Sequence, residues 1–478
     1  MADGERICFL NLDERRLSII VFALFSSWML AFPFEGRILY AIADNFNYDP
    51  YQIVFGVIAS HAVGLLFWGF LIKTKKAAKM LMLCSMAFCV MASGIFFYPP
   101  SRLWTIALIF SSFMIAASVV SWSFYFKSGT PKNERIKTAA DGLIYTNILM
   151  ILLNMAAIHL APHIGLGLSM LMLGGAFLFT LLLPVNGEAA SLPPSQQPEN
   201  PASIVKPLAF LCLFIVVITI NSGLMYQVVN PAFGHLERLT SWYWAVPYII
   251  ALYIMKNLPR KTSRNYILYV AIAMIGLSFV AFMMLDRSAL SYLVVNTLML
   301  GAFGVYDLFW WSILGEMLDL NKSPAGVFGT GLSANVLGVL VGGMIGKAVT
   351  ASGVLPHTSS ALALAVVFVS LIILPLLNKR LSILLKNHAY LSMLFEMPPA
   401  EQNKLTARIA QFGNLSERES QVANLLLQGK TYRTIAGELY ISENTVKFHV
   451  RNVYSKFNIQ SRTELIDLIL DKQDIAQR

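Results

Sequence analysis

Charged residues are scarce in this sequence. Of its 478 residues, 13% are charged and 56% are hydrophobic, and the mean hydropathy is +0.63. A soluble globular protein usually carries about twice that share of charged residues. The composition therefore excludes an ordinary soluble fold for most of the chain and predicts long runs that cross a lipid bilayer.

The motifs of several enzyme classes are also missing. We find no phosphate-binding loop, no zinc-ligand cluster and no nucleophile elbow. The four cysteines have neither paired nor metal-type spacing, and we expect them to pack: Cys8, Cys84, Cys89 and Cys212. A cleavable signal peptide is not expected, because acids and bases mix before the first apolar run and a small-residue cleavage site is absent. These absences predict a protein that is not an enzyme and has no cofactor.

Long apolar runs dominate the sequence up to residue 377. About 17 to 25 apolar residues in a helix cross a hydrocarbon core about 30 Å thick. About twelve runs have roughly this length, although Ser241–Met255 is shorter and holds Pro247. The first six are Leu17–Phe34, Gln52–Ile72, Met80–Tyr98, Trp104–Phe126, Ala140–Leu160 and Gly167–Val185. The second six are Pro207–Val229, Ser241–Met255, Asn265–Leu285, Ala289–Leu314, Gly326–Ala348 and Ala361–Leu377.

Basic residues alternate between the loops. Clusters follow the second, fourth and eighth runs: Lys73, Lys75, Lys76 and Lys79; Lys127, Lys132, Arg135 and Lys137; Lys256, Arg260, Lys261 and Arg264. The intervening loops carry single arginines: Arg37, Arg102, Arg238 and Arg287. Because lysine and arginine collect in cytoplasmic loops, this pattern predicts a multi-pass protein of the cell membrane with both termini in the cytoplasm.

The order of the segments predicts a domain plan. A cytoplasmic N-terminus (residues 1–16) precedes one six-helix half (17–185), a polar linker (186–206) and a second six-helix half (207–377). A second linker (378–414) leads to a C-terminal domain (415–470). Residues 17–377 resemble the major facilitator superfamily in layout, which implies a bundle of two six-helix repeats. The glycine, aspartate and arginine pattern usual in that family after the second span is absent from Lys73–Lys79.

The C-terminal segment predicts four short helices. Ser416 with Glu419 and Ser461 with Glu464 have the spacing of helix N-caps, and Thr431 and Ser442 start the helices between them. In the third helix, residues at helical spacing should pack inward: Val446, Val450, Val453 and Phe457. The opposite stripe contains Asn444, Lys447, Phe448 and Arg451. A tight turn before such a helix is typical of a helix-turn-helix that enters the DNA major groove.

This segment resembles the LuxR-type DNA-binding domain. The residues that carry the resemblance are Leu415, Arg418, Glu419, Gly429, Ile435, Ala436, Leu439, Ser442, Thr445, Val446, Lys447, His449, Lys456, Arg462 and Glu464. The resemblance implies that Lys447, Phe448 and Arg451 face base edges, that Asn444 and Thr445 lie at the same interface, and that the fourth helix pairs two copies as a homodimer. The alternative is a four-helix module that binds a partner protein. The aspartate-bearing receiver domain that often precedes such a tail is missing.

Polar residues inside the apolar runs indicate where a signal could enter. Asp307 stands three and four residues before Trp310 and Trp311, so the acid and the indoles share one helix face. His61 lies near the middle of the second run. These four residues are the predicted small-molecule site, with Asn221 and Asn335 as weaker members and Glu35 and Arg37 as a solvated mouth. The alternatives are a structural hydrogen-bonding aspartate, an interfacial tryptophan belt and a satisfied core histidine.

Taken together, these patterns predict an all-α protein with a twelve-helix membrane bundle and a four-helix DNA-binding domain. The predicted function is a membrane-bound transcriptional regulator that senses a small molecule and binds promoter DNA. The alternatives are a transporter with an attached regulatory DNA-binding domain, and a regulator that uses its bundle as a membrane anchor without sensing.

Overall fold

The computed structural model describes residues 13–34, 36–185, 202–258, 264–318, 323–351 and 360–377, and nearer the C-terminus residues 411, 413–428, 430–462, 464–466 and 468. Two compact units are present. One comprises residues 1–190 and 208–375, and the other comprises residues 191–207 and 376–478. All regular structure in the described part of the chain is helical.

The first half of the bundle contains seven helices, six of them at the predicted spans. They are α1 (Glu14–Ala31), α2 (Arg37–Asp44), α3 (Tyr51–Leu71), α4 (Lys75–Ser93), α5 (Arg102–Gly129), α6 (Arg135–His159) and α7 (Pro162–Leu182). Side chains cap several of them, because the first amides of a helix have no partner within it. Asp13 accepts from the amide of Arg16, and Thr74 accepts from that of Ala77.

The second half is less regular. It contains α8 (Ala202–Leu224), α9 (Asn230–Ala232), α10 (Glu237–Tyr243), α11 (Val246–Lys256), α12 (Arg264–Met284), α13 (Ala289–Met317), α14 (Pro324–Ala351) and α15 (Ser360–Leu377). A π-helical turn, Met225–Val229, joins α8 to α9. Pro231 follows this turn and has no backbone N–H to donate to the carbonyl of Gln227, so a regular α-helix cannot continue there.

Every predicted span falls on helical structure, with one correction. Ten helices of the described part are long and apolar enough to cross a membrane. The other two predicted spans correspond to α1, whose first turn is charged, and to α10 with α11. The prediction of one continuous span over Ser241–Met255 was wrong, because Pro247 stands in the first turn of α11 and lacks the amide that would join it to α10.

The linker predicted over residues 186–206 also ends earlier than expected. Helix α8 begins at Ala202, so residues 202–206 are helical. Most of that linker, and most of the linker predicted over residues 378–414, lie outside the described residues. The proline-rich and polar composition that predicted a linker ends at Pro201, where the apolar sequence of α8 takes over.

Glycines let α14 approach both α3 of the first half and α8 of its own half closely. A Cβ atom on Gly329 of α14 would lie 2.5 Å from the carbonyl oxygen of Leu65 in α3. A Cβ atom on Gly223 of α8 would lie 2.2 Å from the carbonyl oxygen of Val339 in α14. Backbone contacts of this kind are typical of helix packing in membranes. They place α3, α8 and α14 around one central space.

The C-terminal domain has the predicted helices and caps. They are α16 (Glu417–Leu427), α17 (Tyr432–Leu439) and α18 (Glu443–Phe457), and a fourth helix starts after Ser461. Ser416 and Glu419 form a capping box, and Thr431 and Ser442 cap the next two helices. Tyr440 adopts the left-handed conformation (φ 55°) that closes the turn between α17 and α18. Residues from all four helices form a separate apolar core, including Val422, Ile435, Val450 and Ile466.

Candidate functional site

Helix α18 exposes a basic and aromatic stripe. Val446, Val450 and Val453 are buried on one side of this helix, as predicted from their spacing. Asn444, Lys447, Phe448 and Arg451 are exposed on the other side, and the Phe448 side chain is 60% exposed. Thr445 is half-buried, and its amide and hydroxyl both bond to the Ser442 cap. It therefore fixes the start of the helix, while the other four residues form the exposed face.

Two tyrosines missed by the sequence analysis lie beside this stripe. Tyr432 of α17 and Tyr454 of α18 line an open groove together with Lys447 and Arg451. Burial raises the pKa of Tyr454 to about 12, so its phenol remains a hydrogen-bond donor at neutral pH. Tyr454 follows Lys447 and Arg451 at helical spacing, and this signal was available in the sequence.

An ion pair between an exposed lysine and a buried glutamate connects α18 to the start of α16. The ammonium of Lys456 donates to the Glu419 carboxylate at 2.6 Å and to the carbonyl of Asn414 at 2.9 Å. The amide of Ser416 donates to the same carboxylate at 2.8 Å. The Lys456 ammonium and the Ser416 amide lower the pKa of Glu419 to about 2. Glu419 and Lys456, both motif residues, thus orient the helix that carries the stripe.

The bundle contains a partly open cavity of about 530 Å³ between its two halves. All four residues of the predicted small-molecule site line it: His61, Asp307, Trp310 and Trp311. Asn335 and Arg37 line it as well, whereas Asn221 does not and is buried elsewhere. Arg37 was expected in a solvated mouth, but its guanidinium donates to the Thr240 hydroxyl at 3.0 Å at the cavity wall. Glu35 lies outside the described residues.

Asp307 is held by two neutral donors. The hydroxyl of Tyr248 in α11 donates to it at 2.8 Å, and the indole N–H of Trp310 donates at 3.1 Å. Among the described residues, no lysine or arginine pairs with this carboxylate. Trp310 is 1% exposed and Trp311 5% exposed, so neither forms an interfacial belt toward lipid. The carboxylate and the indoles share one face of α13, as their spacing predicted.

His61 presents one ring nitrogen as an acceptor. Its Nδ1 lies 2.9 Å from the carbonyl oxygen of Ser112, and a carbonyl can only accept, so Nδ1 carries a proton. The neutral ring then has an unprotonated Nε2. The ring of Phe34, another lining residue, packs against the imidazole with centroids 4.6 Å apart.

Aromatic side chains close the cavity toward the basic loops. The ring of Trp311 contacts those of Phe22, Trp122 and Phe328 at centroid distances of 5.5, 5.9 and 5.4 Å. Nearer those loops, the guanidinium of Arg135 donates to the carbonyl of Gly315 at 2.7 Å. This bond joins the two halves of the bundle beyond the aromatic layer.

The irregular part of the second half supplies lining residues that the sequence analysis missed. Tyr226, Gln227 and Asn230, in or next to the π-helical turn, all line the cavity. Tyr248, which bonds to Asp307, was also missed. Pro231, two residues beyond the predicted run Pro207–Val229, was the available signal for the turn, because a proline distorts the helix that precedes it. Nothing comparable marked Tyr248, which pairs with a residue 59 positions away.

Comparison with known proteins gives separate matches for the C-terminal domain and for the bundle. Residues 413–469 match the model of the luxR family of bacterial regulatory proteins. The nitrate/nitrite response regulator protein NarP of Escherichia coli is 40% identical over 73 residues, which cover 15% of this chain and 34% of NarP. The spore germination protein GerE of Bacillus subtilis is 42% identical over 52 residues, which cover 11% of this chain and 70% of GerE. This chain thus spans about a third of NarP but most of GerE.

The bundle has structural neighbours of its own. The human organic anion transporter MFSD10 (TETRAN) superposes with a TM-score of 0.59 at 13% identity, covering 76% of this chain and 99% of that one. At this identity the likeness shows the fold, which is major-facilitator-like. With its apolar helices, this makes the protein a multi-pass membrane protein. Through the DNA-binding domain at the end of this bundle, the chain belongs to the luxR family of bacterial regulatory proteins.

Proposed function

We propose that this protein is a membrane-bound transcriptional regulator. Its bundle binds a small molecule, and its C-terminal domain binds promoter DNA in response. One observation carries the proposal: a single chain combines an exposed helix-turn-helix stripe with a cavity lined by Asp307, His61, Trp310 and Trp311. A cavity of about 530 Å³ is in the size range of small-molecule sites.

We propose a different DNA contact for each of three residues of the stripe. Arg451 reads a guanine edge through its two-pronged guanidinium, and Phe448 makes an apolar contact with a thymine methyl group. Lys447 lies beside the groove that contains Tyr432 and Tyr454, which suits a phosphate contact. Because one helix-turn-helix reads few bases, we propose that two chains bind paired half-sites as a homodimer.

The fourth helix is the proposed pairing surface. Leu465 and Ile466 are buried in the core of their own domain, so pairing must use other faces of this helix. A cysteine at Leu468, which is partly exposed, should crosslink two chains in membranes that contain promoter DNA. A cysteine at Leu465 is the matched buried control. Equal crosslinking at both positions would contradict this pairing surface.

The alternating basic loops support one orientation of the protein in the membrane. In this proposal, both termini and the DNA-binding domain are in the cytoplasm of a cell whose membrane holds the bundle. The aromatic layer of Trp122, Trp311 and Phe328 lies on the side of those loops, and Arg37 and Thr240 line the cavity toward the other side. The ligand therefore enters from outside the cell. Its binding shifts the bundle between states that pair the C-terminal domains differently.

A second function is a transporter with an attached regulatory domain, which the major-facilitator-like fold and the central cavity favour. Transcript profiling of a deletion strain, paired with an uptake assay, separates the two functions. The regulator predicts altered transcripts that return with the wild-type chain and do not return with Arg451→Ala. Lost uptake with unchanged transcripts would establish the transporter and contradict our proposal.

A further inference from the structure

Two hydrogen-bond acceptors at the cavity wall come from ionisable side chains. They are the Asp307 carboxylate and the unprotonated Nε2 of His61. A molecule that satisfies both atoms must bring hydrogen-bond donors.

The electrostatic balance near Asp307 points the same way. This carboxylate is half-buried at the cavity wall, and its two partners, Tyr248 and Trp310, are neutral. Burying an isolated carboxylate is costly unless a positive charge compensates it. Arg37 is the basic side chain among the lining residues, and it donates to Thr240 instead. The compensating charge near Asp307 is therefore one that the ligand can supply.

The walls around this acid suit an organic cation rather than a metal ion. Trp310 and Trp311 stack on each other with centroids 5.4 Å apart and adjoin the acid on α13. The faces of aromatic rings attract desolvated ammonium groups through cation–π interactions. Among the described residues, no group of three or more His, Cys, Asp or Glu residues could hold a metal ion.

We infer that the cavity takes an organic ammonium ion whose charged group lies against Asp307 and whose apolar skeleton packs on the tryptophans. This inference rests on the proposed small-molecule site and names its ligand class. A further donor on the same molecule reaches Nε2 of His61. Arg37 disfavours a second positive charge at the far end of the cavity.

Three probes with one ring system and different charges test this inference. The full-length protein in lipid nanodiscs is titrated with tryptamine (cation), tryptophol (neutral) and indole-3-propionate (anion) by calorimetry. Tryptamine should bind at least about tenfold more tightly than the other two, because its ammonium pairs with the half-buried Asp307 carboxylate. Equal binding of tryptophol, preference for the anion, or no binding by tryptamine would overturn the inference.

Variants locate the effect. Asp307→Asn should remove the preference for tryptamine and leave the binding of tryptophol unchanged. Asp44→Asn removes an exposed acid that does not line the cavity and is the matched control. If Asp307→Asn does not fold, the comparison of the three probes on the wild type still decides. A preference for tryptamine that survives in folded Asp307→Asn would overturn the assignment.

The result is distinguishable from failure of the proposed function. An anionic compound that binds the cavity and changes transcripts would overturn the cation preference and leave the regulator standing. If tryptamine binding depends on Asp307 but deletion of the gene never changes transcripts, the cation preference stands and the proposed regulator is contradicted.

Discussion

The bundle and the C-terminal domain place their charged residues in opposite ways. In the bundle, Asp307 and Arg135 are enclosed between helices and bonded to groups distant in sequence. In the C-terminal domain, Lys447 and Arg451 are exposed on one helix, and the buried carboxylate of Glu419 serves the fold. Because of this difference, an exposed residue of the stripe can be replaced without loss of stability. A residue that lines the cavity also makes contacts that hold the helices together, so its replacement affects stability as well.

The largest effect should come from the exposed stripe. Arg451→Ala should weaken operator binding by about 1–3 kcal/mol and relax specificity at one base position, because a bidentate contact to a base is lost. The domain should remain folded, since this side chain is exposed. Gel shifts on a set of mutated operators measure both effects.

Arg418→Ala is the control for this variant. It also removes an exposed arginine, but one that bonds to Gln421 on its own helix, α16. Its specificity profile should equal that of the wild type. If Arg451→Ala weakens operator binding but leaves the specificity profile unchanged, Arg451 contacts a phosphate rather than a base.

The next effect concerns the buried acid of the C-terminal domain. Because the folded pKa of Glu419 is lowered to about 2 from 4.5, its contribution to stability is fully present above pH 4.5 and is lost as the pH falls toward 2. We expect about 1–2 kcal/mol, reduced by the exposure of Lys456. Urea unfolding of the C-terminal domain from pH 7 to pH 2 measures it.

Glu419→Gln should flatten this pH dependence. Glu438→Gln, which removes a more exposed ion pair with Lys430, should leave it unchanged. The reverse pattern would show that Glu438 rather than Glu419 determines the acid sensitivity. Either result sharpens the contrast between acids that support the fold and bases that serve DNA binding.

A smaller effect is expected from the groove. Lys447→Ala should reduce the dependence of log affinity on log salt concentration by about one, because one phosphate contact is lost. Tyr454→Phe should cost about 0.5–1.5 kcal/mol equally on all operators, because it removes one neutral donor. A salt titration with wild-type and variant domains measures both. Loss of specificity in either variant would place that side chain at a base edge instead.

The smallest expected effect is on operator affinity, which a substitution in the bundle should leave unchanged. Trp310→Ala in the bundle should weaken the response to ligand and leave the operator affinity of the C-terminal domain unchanged, because the two properties belong to different units. Membrane abundance and thermal stability of the variant are measured in parallel. A normal dose response in a folded Trp310→Ala protein would remove this residue from the ligand site.

The same comparison explains what could be predicted from the sequence. The caps at Ser416, Thr431 and Ser442 and the inward valines of α18 follow from local spacing, and the structure confirms them. Most spans follow from composition alone. Asp307 and Trp310 share a face because they are one turn apart in the same helix.

The remaining parts of the cavity depend on long-range packing. Tyr248 meets Asp307, and Arg37 meets Thr240, across 59 and 203 positions of sequence. No local pattern encodes such pairs, because they arise when α2, α10, α11 and α13 pack around the same space. The break before Pro247 and the π-helical turn before Pro231 have a local cause, because each is next to a proline. The predicted spans Ser241–Met255 and Pro207–Val229 did not include these irregularities.

Promoter occupancy by a chimera tests the central claim most directly. The bundle is replaced by an unrelated membrane span, the C-terminal domain is kept, and occupancy of the target promoters is measured in cells exposed to compounds of each charge class. Our account predicts that occupancy by the wild-type chain changes with at least one compound and that occupancy by the chimera changes with none. A chimera that responds as the wild-type chain does would contradict sensing by the bundle and leave it the role of an anchor.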